Sequence, residues 1–518
     1  MIPLYNTSQI RNLDSFAIKR LQVPGIVLME NAALGIYESI LERVDKIKCV
    51  GVVCGKGNNG GDGYAVARHF SNAGYEVKVV SLGSEDDLSE DCKTNFNIIK
   101  NLSTQRKNLK IRSYKSITDI NWLKDCDVIV DAILGSGFTG ELREPNASII
   151  KSLNKLNAFK CAIDVPTGLN ADTGFGNIVF KSDLTVTLGE FKKGLFIGSG
   201  YEYCGEVVLK EIGIGRDYFD DINPDTYLIE PEDVYSALPK RGKSVHKYSA
   251  GKVLSIAGSY KYPGAAALTS QSALVAGAGA SILAIPESLR KLIHKNLLEV
   301  VVESYGNEKS KYFNDEALKS LQQKIKWADV IAIGPGLGRE VETVNAVKLF
   351  LLEQKFKLAV IDADALFALD NIFLGKVNLK NCILTPHLGE FSQMIGVELG
   401  LIDRDILNYG RNFAAKHKCI LVLKGAPTFI FNASGEAFIN TTGNSGMAKF
   451  GSGDVLTGII AGLLAQNKNP EEAAIIGVYL HSLSADLLLF QKPISNYLAS
   501  DIMNNYPYTV KFLEDSIV

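Results

Sequence analysis

Short runs of aliphatic and β-branched residues alternate with helical patterns along nearly all of this 518-residue chain. The runs are apolar at successive positions rather than at every second one, which is typical of parallel strands that helices cover on both faces. Before residue 216 we predict strands at 49–54, 76–82, 127–134, 160–165, 184–188 and 207–212. Helices are predicted between them, for example at 62–73 and 146–156. The alternation therefore predicts an α/β fold.

The alternation breaks once, in a polar segment at 216–240 that prolines interrupt. We predict a boundary there, with one domain at 1–215 and a second at 241–518, as the length of the chain favours. In the second domain the predicted strands are 252–257, 280–285, 300–304, 330–333, 358–361, 382–385 and 420–423. The remaining predicted elements are a hairpin-like pair at 427–432 and 436–440 and helices at 454–465 and 470–489.

Charge and composition exclude several classes of function. Lysine and arginine total 55 against 57 acidic residues, so the net charge of −2 offers no electrostatic footprint for nucleic acid. No apolar run reaches the ~20 residues that span a bilayer, and the N-terminus lacks the apolar region of a secretory signal. Eight scattered cysteines without a CxxC pair indicate a reducing compartment. We expect a cytoplasmic protein that acts on small molecules, binds neither nucleic acid nor membrane, and forms a homo-oligomer.

A glycine-rich loop, GKGNNGGDG at 55–63, follows the first predicted strand. Gly55, Gly57 and Gly60 match the G-x-G-x-x-G pattern of dinucleotide sites, in which an acidic residue after the next strand holds the ribose. Here the next strand ends VKVVSLGS and lacks that residue. The amides and the carboxylate within the loop are instead suited to a hard cation or a polar ligand. We predict a ligand site at this strand end, the alternative being a glycine turn with asparagines in left-handed positions.

Two further segments follow predicted strands of the same sheet. They are DAILGSGFTGE, which begins at Asp131, and DVPTGLNADTG, which begins at Asp164. Because the carboxyl ends of parallel strands meet at one edge of a sheet, we expect both aspartates to converge with the glycine loop. Two close carboxylates can divide acid and base work between them. The alternative for each aspartate is a helix or turn cap.

With these motifs and ENAALG at 30–35, about the first 215 residues resemble the NAD(P)H-hydrate epimerase (YjeF N-terminal) family. The resemblance implies a Rossmann-like three-layer domain that interconverts the R and S hydrates of NADH and NADPH, with Asp164 as catalytic residue, alone or with Asp131. It implies a potassium ion bound by Asn59, Asp131 and Thr167. It also implies that the hydrate is bound by Asn58, Asn59, Gly60, Gly61, Asp62, Gly135, Ser136, Gly137, Phe138, Thr139, Gly140, Glu141 and Asp164.

The strongest motif of the second domain is Gly451-Ser452-Gly453-Asp454, which opens an apolar helix. Consecutive N–H groups at a helix start bind an anion. A neighbouring carboxylate can take the proton from a hydroxyl that attacks a phosphoryl group. The alternative, a cap for a core helix, needs no glycines before the aspartate. The motif predicts a phosphoryl-transfer site.

Other motifs end predicted strands of the same domain. LTPHLGE places His387 where it can donate to a phosphate or sugar, and LVLKGAPTFI places Lys424 where it can meet nucleotide phosphates. The alternatives are a capping histidine and a solvated lysine. VIDADAL puts Asp362 and Asp364 at one more strand end, where Mg²⁺ is expected nearby. Two glycine loops, GPGLG and YPGAAALTS, let a ligand approach the backbone closely.

In this order, GPGLG, TPHLGE, KGAPT and GSGD make residues 226–518 resemble the ADP/ATP-dependent NAD(P)H-hydrate dehydratase family (YjeF C-terminal, carbohydrate-kinase type), which has a ribokinase-like fold. The resemblance implies that Asp454 is catalytic and that Ala265, Gly338 and His387 contact the hydrate with it. It implies that the adenine nucleotide is bound by Lys424, Gly425, Ala426, Pro427, Thr428 and Gly453. Phe450 departs from the family, which usually has a glycine at this position.

Together the two resemblances imply a bifunctional repair enzyme. The first domain would epimerise the hydrates with K⁺ bound. The second would dehydrate the S form to NAD(P)H at the expense of ADP or ATP, with Mg²⁺. Two alternatives stay open at this point. One is a ribokinase-like small-molecule kinase fused to a Rossmann-like ligand-binding domain, and the other gives the first domain a binding role without catalysis.

Overall fold

The computed structural model describes residues 1–215, 218, 222–295, 297–353 and 355–517, apart from the side chain of Asp14. The chain folds into two compact units, Pro3–Pro224 and the residues from Asp225 onward together with Met1–Ile2. The predicted boundary region at 216–240 includes residues 216, 217 and 219–221, which lie outside the described residues. Its later part carries a short strand and a short helix. None of the described helices combines the length and apolar character needed to cross a membrane.

The described strands, in chain order, are β1 (Ile2–Pro3), β2 (Cys49–Cys54), β3 (Glu76–Ser81), β4 (Leu109–Ser113), β5 (Val128–Ala132), β6 (Phe159–Ile163), β7 (Leu184–Leu188), β8 (Glu206–Lys210), β9 (Thr226–Leu228), β10 (Lys252–Ile256), β11 (Ala280–Pro286), β12 (Val301–Tyr305), β13 (Val330–Ile333), β14 (Leu358–Ile361), β15 (Cys382–Leu384), β16 (Ile420–Leu423), β17 (Thr428–Phe431) and β18 (Ala437–Asn440). The described helices are α1 (Thr7–Lys19), α2 (Gly25–Leu41), α3 (Asn58–Asn72), α4 (Glu90–Gln105), α5 (Ile117–Asn121), α6 (Asn146–Leu153), α7 (Ser199–Tyr203), α8 (Pro231–Ala237), α9 (Pro263–Val275), α10 (Arg290–His294), α11 (Asp315–Ser320), α12 (Gln322–Trp327), α13 (Val341–Glu353), α14 (Asn371–Leu374), α15 (Leu388–Ile395), α16 (Leu399–Arg404), α17 (Ile406–His417), α18 (Ser452–Asn467), α19 (Pro470–Leu488) and α20 (Ala499–Ile517). Every predicted strand is present, with small differences at its ends.

The described sheet of the first unit has the strand order β4-β3-β2-β5-β6-β7-β8. All neighbours in it are parallel, as the continuous apolar strands predict. Strand β2 is buried along its whole length and pairs with β3 on one side and β5 on the other. The strand order therefore reverses at β2: β3 and β4 lie on one side of it and β5 to β8 lie on the other. A crevice opens beyond the carboxyl ends of the strands at such a point, so the loops after β2 and β5 can reach a ligand.

The described sheet of the second unit has the order β1-β9-β18-β17-β16-β15-β14-β13-β10-β11-β12. Strand β17 runs antiparallel to both β16 and β18, as the hairpin-like pair predicts. The strands from β10 to β16 pair in parallel, and β10 lies between β11 and β13. This α/β sheet therefore has its own switch point, with the loops after β13, β14, β15 and β16 along one edge.

Helix α18 is apolar on nearly every face, and residues 455–465 are all buried. It is buried all round because it packs between α9 and α19. Gly458 and Gly462 permit the close approach of α9, since a Cβ at Gly458 would lie 2.2 Å from the carbonyl oxygen of Thr269. The hydroxyl of Thr269 also donates to the carbonyl oxygen of Asp454 at 3.2 Å. This packing fixes the start of α18 relative to the sheet.

Three parts of the fold differ from the sequence predictions. Helix α3 begins at Asn58 rather than at residue 62, so the second half of the glycine loop forms the first turn of the helix. Strands β1, β4 and β9 were missed because β4 is a largely exposed edge strand with polar side chains, β1 is two residues long and β9 is three residues long. Helix α20 was missed, and it carries Pro507 in its interior, which is a signal against a helix.

Candidate active sites

A cavity of about 700 Å³ lies at the carboxyl ends of β2, β5 and β6 in the first unit. All three segments that the sequence singled out in this half contribute to it. Of the residues predicted to bind the hydrate, those that line it are Asn58, Asn59, Asp62, Gly135, Ser136, Gly137, Phe138, Thr139 and Asp164. Its lining does not include Gly60, Gly61, Gly140 or Glu141. The contacts predicted for these four residues stay predictions.

The glycines at 60 and 61 are required for packing. A Cβ at Gly60 would lie 2.1 Å from the carbonyl oxygen of Gly55, and one at Gly61 would lie 2.6 Å from Sδ of Met29. Helix α3 can therefore begin tight against its own loop and against α2 only with glycine at both positions. A run of glycines in the sequence does not distinguish those that face a ligand from those that face another part of the chain.

The amide of Asn59 and the carboxylate of Asp164 both lie close to Gly135. A Cβ at Gly135 would lie 3.3 Å from Oδ1 of Asn59 and 3.3 Å from Oδ2 of Asp164, so glycine leaves room for both groups. Nδ2 of Asn59 is buried and has no hydrogen-bond partner within the described residues. A buried polar group without a partner costs about 1–3 kcal/mol. This amide is therefore a group that a bound molecule would satisfy.

Asp164 is held in an unusual conformation at the cavity wall. Its φ of +64° lies in the left-handed region, which is uncommon for a residue other than glycine. Its Oδ1 accepts from Nζ of Lys192 at 2.6 Å, and its Oδ2 accepts from the backbone N–H of Ser136 at 3.2 Å. Burial raises the pKa of this carboxyl, but the charge of Lys192 and the hydrogen bonds outweigh burial, so the pKa lies below its ordinary value. Asp164 is therefore ionised at neutral pH.

Asp131 is fully buried and is not part of the cavity lining. Its Oδ2 accepts from the backbone N–H of Thr167 at 2.8 Å, and its Oδ1 accepts from the hydroxyl of Thr167 at 2.8 Å. Burial raises the pKa of Asp131 to about 6, although these hydrogen bonds act to lower it. The idea that Asp131 shares the acid–base work with Asp164 is therefore not supported, because Asp131 does not reach the cavity.

A partly buried lysine organises the predicted site of the second unit. Nζ of Lys424 donates to Oδ1 of Asp362 at 2.7 Å, and the hydroxyl of Thr457 donates to Oδ2 at 2.7 Å. The side chain of Asp362 is only 1% exposed. Its two oxygens thereby connect the end of β14, the end of β16 and the first turns of α18. Three segments that are far apart in the sequence are held together by one carboxylate.

The start of α18 faces this ion pair. Gly451 has a φ of +94°, in the left-handed region, and the helix begins at Ser452. A Cβ at Gly453 would lie 3.5 Å from Nζ of Lys424, so the backbone here is within reach of the ammonium group. The first N–H groups of a helix have no intrahelical acceptor and carry the positive end of the helix dipole. With the ammonium group beside them, they form a site suited to a phosphate.

Asp454, in the first turn of α18, has a pKa raised to about 6. Burial is the largest cause, the negative charges of Asp362 and Asp364 add to it, and the charge of Lys424 opposes it. A carboxyl group with a pKa close to neutral is suited to general base catalysis, because it is ionised at the working pH and still holds a proton well. This is the chemistry that the sequence predicts for Asp454.

The other residues predicted to contact the hydrate lie at the same sheet edge. His387 caps α15, since its Nδ1 accepts from the backbone N–H of Glu390 at 3.1 Å, while its side chain is 60% exposed. The capping alternative therefore applies to Nδ1, and the rest of the ring is accessible. Gly338 has a φ of +88° and donates from its N–H to Oδ2 of Asp364 at 2.9 Å. Ala265 lies in the first turn of α9.

The turn between β16 and β17 contains the residues predicted to bind the nucleotide. The hydroxyl of Thr428 donates to the carbonyl oxygen of Gly425 at 3.0 Å, which closes the turn. Gly425 and Ala426 are exposed, whereas Pro427 is buried. Since Lys424 directly precedes this turn, an accessible backbone stands next to the ammonium group. This arrangement suits a ligand with both a charged and an uncharged part.

Neither aspartate predicted near Mg²⁺ offers an open carboxylate. Asp362 holds Lys424 and Thr457, and both oxygens of Asp364 accept hydrogen bonds from the loop after β13. Within the described ranges, no group of three or more His, Cys, Asp or Glu side chains is arranged to hold a metal ion. These residues therefore do not fit a protein-made Mg²⁺ site, and a Mg²⁺ ion would enter with nucleotide phosphates.

Arg11, Lys192 and Thr457 are among the residues of these sites that were not predicted. Arg11 and Lys192 line the cavity of the first unit, and Thr457 completes the lysine–aspartate pair of the second. Lys192 follows β7 at the same sheet edge as the predicted strand-end motifs, and this position was a usable signal. Thr457 lies three residues after Asp454, a spacing that places both on one side of a helix. Arg11 lies in α1, where no local pattern marks it.

Both units are thus α/β domains with polar sites at the carboxyl ends of parallel strands. The second also combines an anion-binding helix start with a carboxylate, which are the parts of a phosphoryl-transfer enzyme. Models of two families match the chain. The YjeF-related protein N-terminus matches residues 25–194, and NAD(P)H-hydrate dehydratase matches residues 253–507.

Curated relatives named bifunctional NAD(P)H-hydrate repair enzyme match nearly the whole chain. The protein of Moorella thermoacetica is 37% identical over 99% of this chain and 98% of its own length. The protein of Archaeoglobus fulgidus is 35% identical over 96% of each. The chain belongs to the family of bifunctional NAD(P)H-hydrate repair enzymes. A solved structure, the ADP/ATP-dependent NAD(P)H-hydrate dehydratase from Bacillus subtilis, is 30% identical and covers 55% of this chain and 98% of that one, with a TM-score of 0.48.

Proposed function

We propose that this chain repairs hydrated NADH and NADPH. The unit at Pro3–Pro224 interconverts the R and S hydrates, and the unit from Asp225 onward dehydrates the S form with ADP or ATP. The convergence of Lys424, Gly453 and Asp454 carries this proposal, because a phosphate-binding helix start beside a base of near-neutral pKa is what phosphoryl transfer to a hydroxyl requires. Membership of the family supports the same pair of activities.

In the second unit, Asp454 takes the proton from the hydroxyl group of the hydrate. The hydroxyl oxygen attacks the terminal phosphorus of ADP or ATP, and the bond from this phosphorus to the bridging oxygen breaks, which releases AMP or ADP. The N–H groups at the start of α18 and the ammonium group of Lys424 stabilise the charge on the phosphoryl oxygens. The lone pair of the ring nitrogen then expels phosphate, and loss of a proton from the neighbouring carbon restores the double bond.

The adenine nucleotide is proposed to lie along the turn after β16 and against the backbone of Gly453. This is supported by the exposed backbone of Gly425 and Ala426 and by the short distance from Gly453 to Lys424. A Mg²⁺ ion bound to the phosphates would neutralise part of their charge. The residues proposed to contact the hydrate are Ala265, Gly338, His387 and Asp454.

In the first unit, Asp164 is the proposed catalytic residue. When the hydroxyl leaves the hydrated carbon as water, the lone pair of the ring nitrogen stabilises the cation that remains. Water that returns on the opposite face gives the other epimer. The hydroxyl takes the proton that it needs to leave from water in the cavity. The carboxylate stabilises the cation, takes a proton from the returning water and passes it back to the cavity water, so that no net proton is gained or lost. The support is that Asp164 lines the cavity and is ionised.

A potassium ion is proposed beside Asn59, Asp131 and Thr167. Carboxylate, hydroxyl and amide oxygens are hard donors, which suit such a cation. Asp131 adds support, because it is a fully buried carboxyl whose pKa is raised to about 6, and a cation would balance its charge. When bound, the ion would order the loops after β5 and β6.

A cytoplasmic location and a homo-oligomeric state are also proposed. All eight cysteines are free and buried in the described structure, which suits a reducing compartment such as the cytoplasm. The proposed partners are small molecules: the two hydrates and the adenine nucleotide. A homo-oligomer stays a prediction, and light scattering of the purified chain would measure its mass.

One assay tests the proposed function. The chain is mixed with separated S hydrate and with ADP or ATP, the absorbance of NADH is followed, and the phosphorylated products are analysed. Recovered NADH with an equal amount of phosphate supports repair, whereas a stable phosphate ester supports the small-molecule kinase. Separated R hydrate is then incubated with the chain alone. Epimerisation no faster than in buffer would leave the first unit with a binding role only.

A further inference from the structure

Lys192 is a fully buried lysine in the turn after β7, and its side chain is 1% exposed. Its Nζ donates to Oδ1 of Asp164 at 2.6 Å, to the carbonyl oxygen of Leu188 at 2.6 Å and to the hydroxyl of Thr187 at 3.1 Å. An ammonium group has three N–H donors, so these bonds use all of them. Although Lys192 lines the cavity, it therefore has no N–H left for a ligand.

The backbone on both sides of Lys192 is tied to the N-terminal segment of the same unit. The N–H of Tyr5 donates to the carbonyl oxygen of Phe191 at 2.9 Å, and the N–H of Lys193 donates to the carbonyl oxygen of Tyr5 at 3.0 Å. The N–H of Gly194 donates to the loop after β6 at 2.7 Å. These bonds hold the turn in place, and with it the position of the ammonium group.

The buried pair of Lys192 and Asp164 is not explained by stability. Taking two charges out of water costs several kcal/mol, and apolar side chains of similar volume stabilise a fold as well or better. The pair also lies at a cavity rather than in the closed core. While Lys192 binds Oδ1 of Asp164, the other oxygen, Oδ2, lies beside Gly135 and the amide of Asn59 in the cavity wall.

We propose that Lys192 is a positioning residue for epimerisation: it binds Oδ1 of Asp164 and directs Oδ2 into the cavity. Because its three N–H donors are engaged, it acts through Asp164 and not on the hydrate. The left-handed backbone of Asp164 and the N–H of Ser136 complete the orientation. This role rests on the epimerase activity proposed for the first unit.

The test is Lys192→Met in the full chain, which keeps most of the volume and removes the charge. Epimerisation of separated R hydrate is measured over a range of concentrations. We expect kcat to fall about 100-fold, as when a general base loses its correct state, and KM to stay within about threefold. Binding is retained because the cavity wall keeps its shape. Dehydration of S hydrate with ADP by the same preparation should not change.

A matched control is Lys193→Met, since Lys193 is 7% exposed, adjacent in sequence and outside the cavity lining. It should keep kcat within about twofold of the wild type, because its side chain does not line the cavity. Lys192→Arg restores a cation and should recover part of kcat. Thr187→Val removes one partner of the ammonium group without touching Asp164, and should lower kcat by about threefold to tenfold. If Lys192→Met does not fold, the kcat of Thr187→Val tests the role of Lys192 instead.

Wild-type kcat in Lys192→Met, an equal loss in Lys193→Met, or a rise in KM alone would each overturn the role of Lys192. If Lys192→Met does not fold, an unchanged kcat in Thr187→Val would overturn the role of Lys192. A wild-type chain that epimerises no faster than buffer would instead refute the proposed function of the first unit. An active wild type with an inactive Asp164→Asn and an active Lys192→Met would refute only the positioning role.

Discussion

Each unit has a lysine near its proposed catalytic aspartate, fully buried in the first unit and partly buried in the second, but the two lysines bind different carboxylates. In the first unit Nζ of Lys192 contacts Asp164 itself at 2.6 Å, and the pKa of Asp164 lies below its ordinary value, the effect of burial being outweighed. In the second unit Nζ of Lys424 contacts Asp362 at 2.7 Å. Asp454 is left partly buried beside other carboxylates, and its pKa rises to about 6. The pKa values of the two aspartates are thus shifted in opposite directions: the direct ion pair outweighs burial at Asp164, whereas at Asp454 partial burial and the neighbouring carboxylates outweigh the charge of Lys424.

The difference suits two kinds of chemistry. A carboxylate that faces a cationic carbon should be ionised when the cation forms, and a direct ion pair achieves this. A base that takes a proton from a hydroxyl should have a pKa near the working pH, and burial beside other negative charges achieves this. A buried lysine near an active aspartate therefore does not by itself indicate the protonation state of that aspartate.

The largest expected effect separates the two sites. Asp454→Asn should lower kcat of dehydration about 1,000-fold, because an amide cannot take the proton, while epimerisation continues. The measurement is recovery of NADH absorbance from S hydrate with ADP, alongside conversion of R hydrate. Asp403→Asn, an exposed aspartate in α16, is the matched control and should behave as wild type. Normal dehydration by Asp454→Asn would refute its role as the base.

The reciprocal change should have the opposite selectivity. Asp164→Asn is expected to lower kcat of epimerisation about 100-fold, because the cation loses its counter-charge and the returning water loses its base. Dehydration of separated S hydrate should be unaffected. Asp45→Asn replaces an exposed aspartate of the same unit and serves as control. If both activities fell together in Asp164→Asn, the two sites would not be independent.

The opposite pKa shifts predict different pH profiles. Asp454 acts in its ionised form and its pKa is about 6, so dehydration should fall about tenfold between pH 7 and pH 5. Asp164 remains ionised over this range because its pKa is lowered, and epimerisation should stay nearly constant. Initial rates of both reactions, corrected for buffer, check this. Lys424→Met should move the fall in dehydration to higher pH, since Lys424 acts to lower the pKa of Asp454.

The smallest expected effect is on thermal stability and concerns Asp131, a fully buried carboxylate of the first unit. The hydrogen bonds to Asp131 come from uncharged donors, and its pKa is raised to about 6 by burial. If K⁺ balances this charge, K⁺ at about ten times its Kd should raise the unfolding temperature by about 2–4 °C relative to a bulky organic cation. Calorimetry measures the shift. Thr167→Val should remove the response, and an identical shift in that variant would argue for a general salt effect.

The strands that are completely buried could be predicted from the sequence. Strand β2 is buried at every position and was predicted with its bounds correct, because a strand covered on both faces has to be apolar throughout. Strand β4 is mostly exposed and β9 is short, so neither has that pattern. The start of α3 was placed too late because glycines and asparagines are poor helix formers, and packing overrides this preference.

The sequence alone predicts which chemical groups stand at the ends of parallel strands, because the apolar pattern of a strand and the turn residues after it are local properties of the chain. The folded chain sets which charged groups form ion pairs: Asp362 pairs with Lys424, 62 residues away, and Asp164 pairs with Lys192, 28 residues away. Electrostatic energy depends on the distance between charges and on their removal from water, and both are set by the folded chain. The protonation states that distinguish the two sites are therefore properties of the fold.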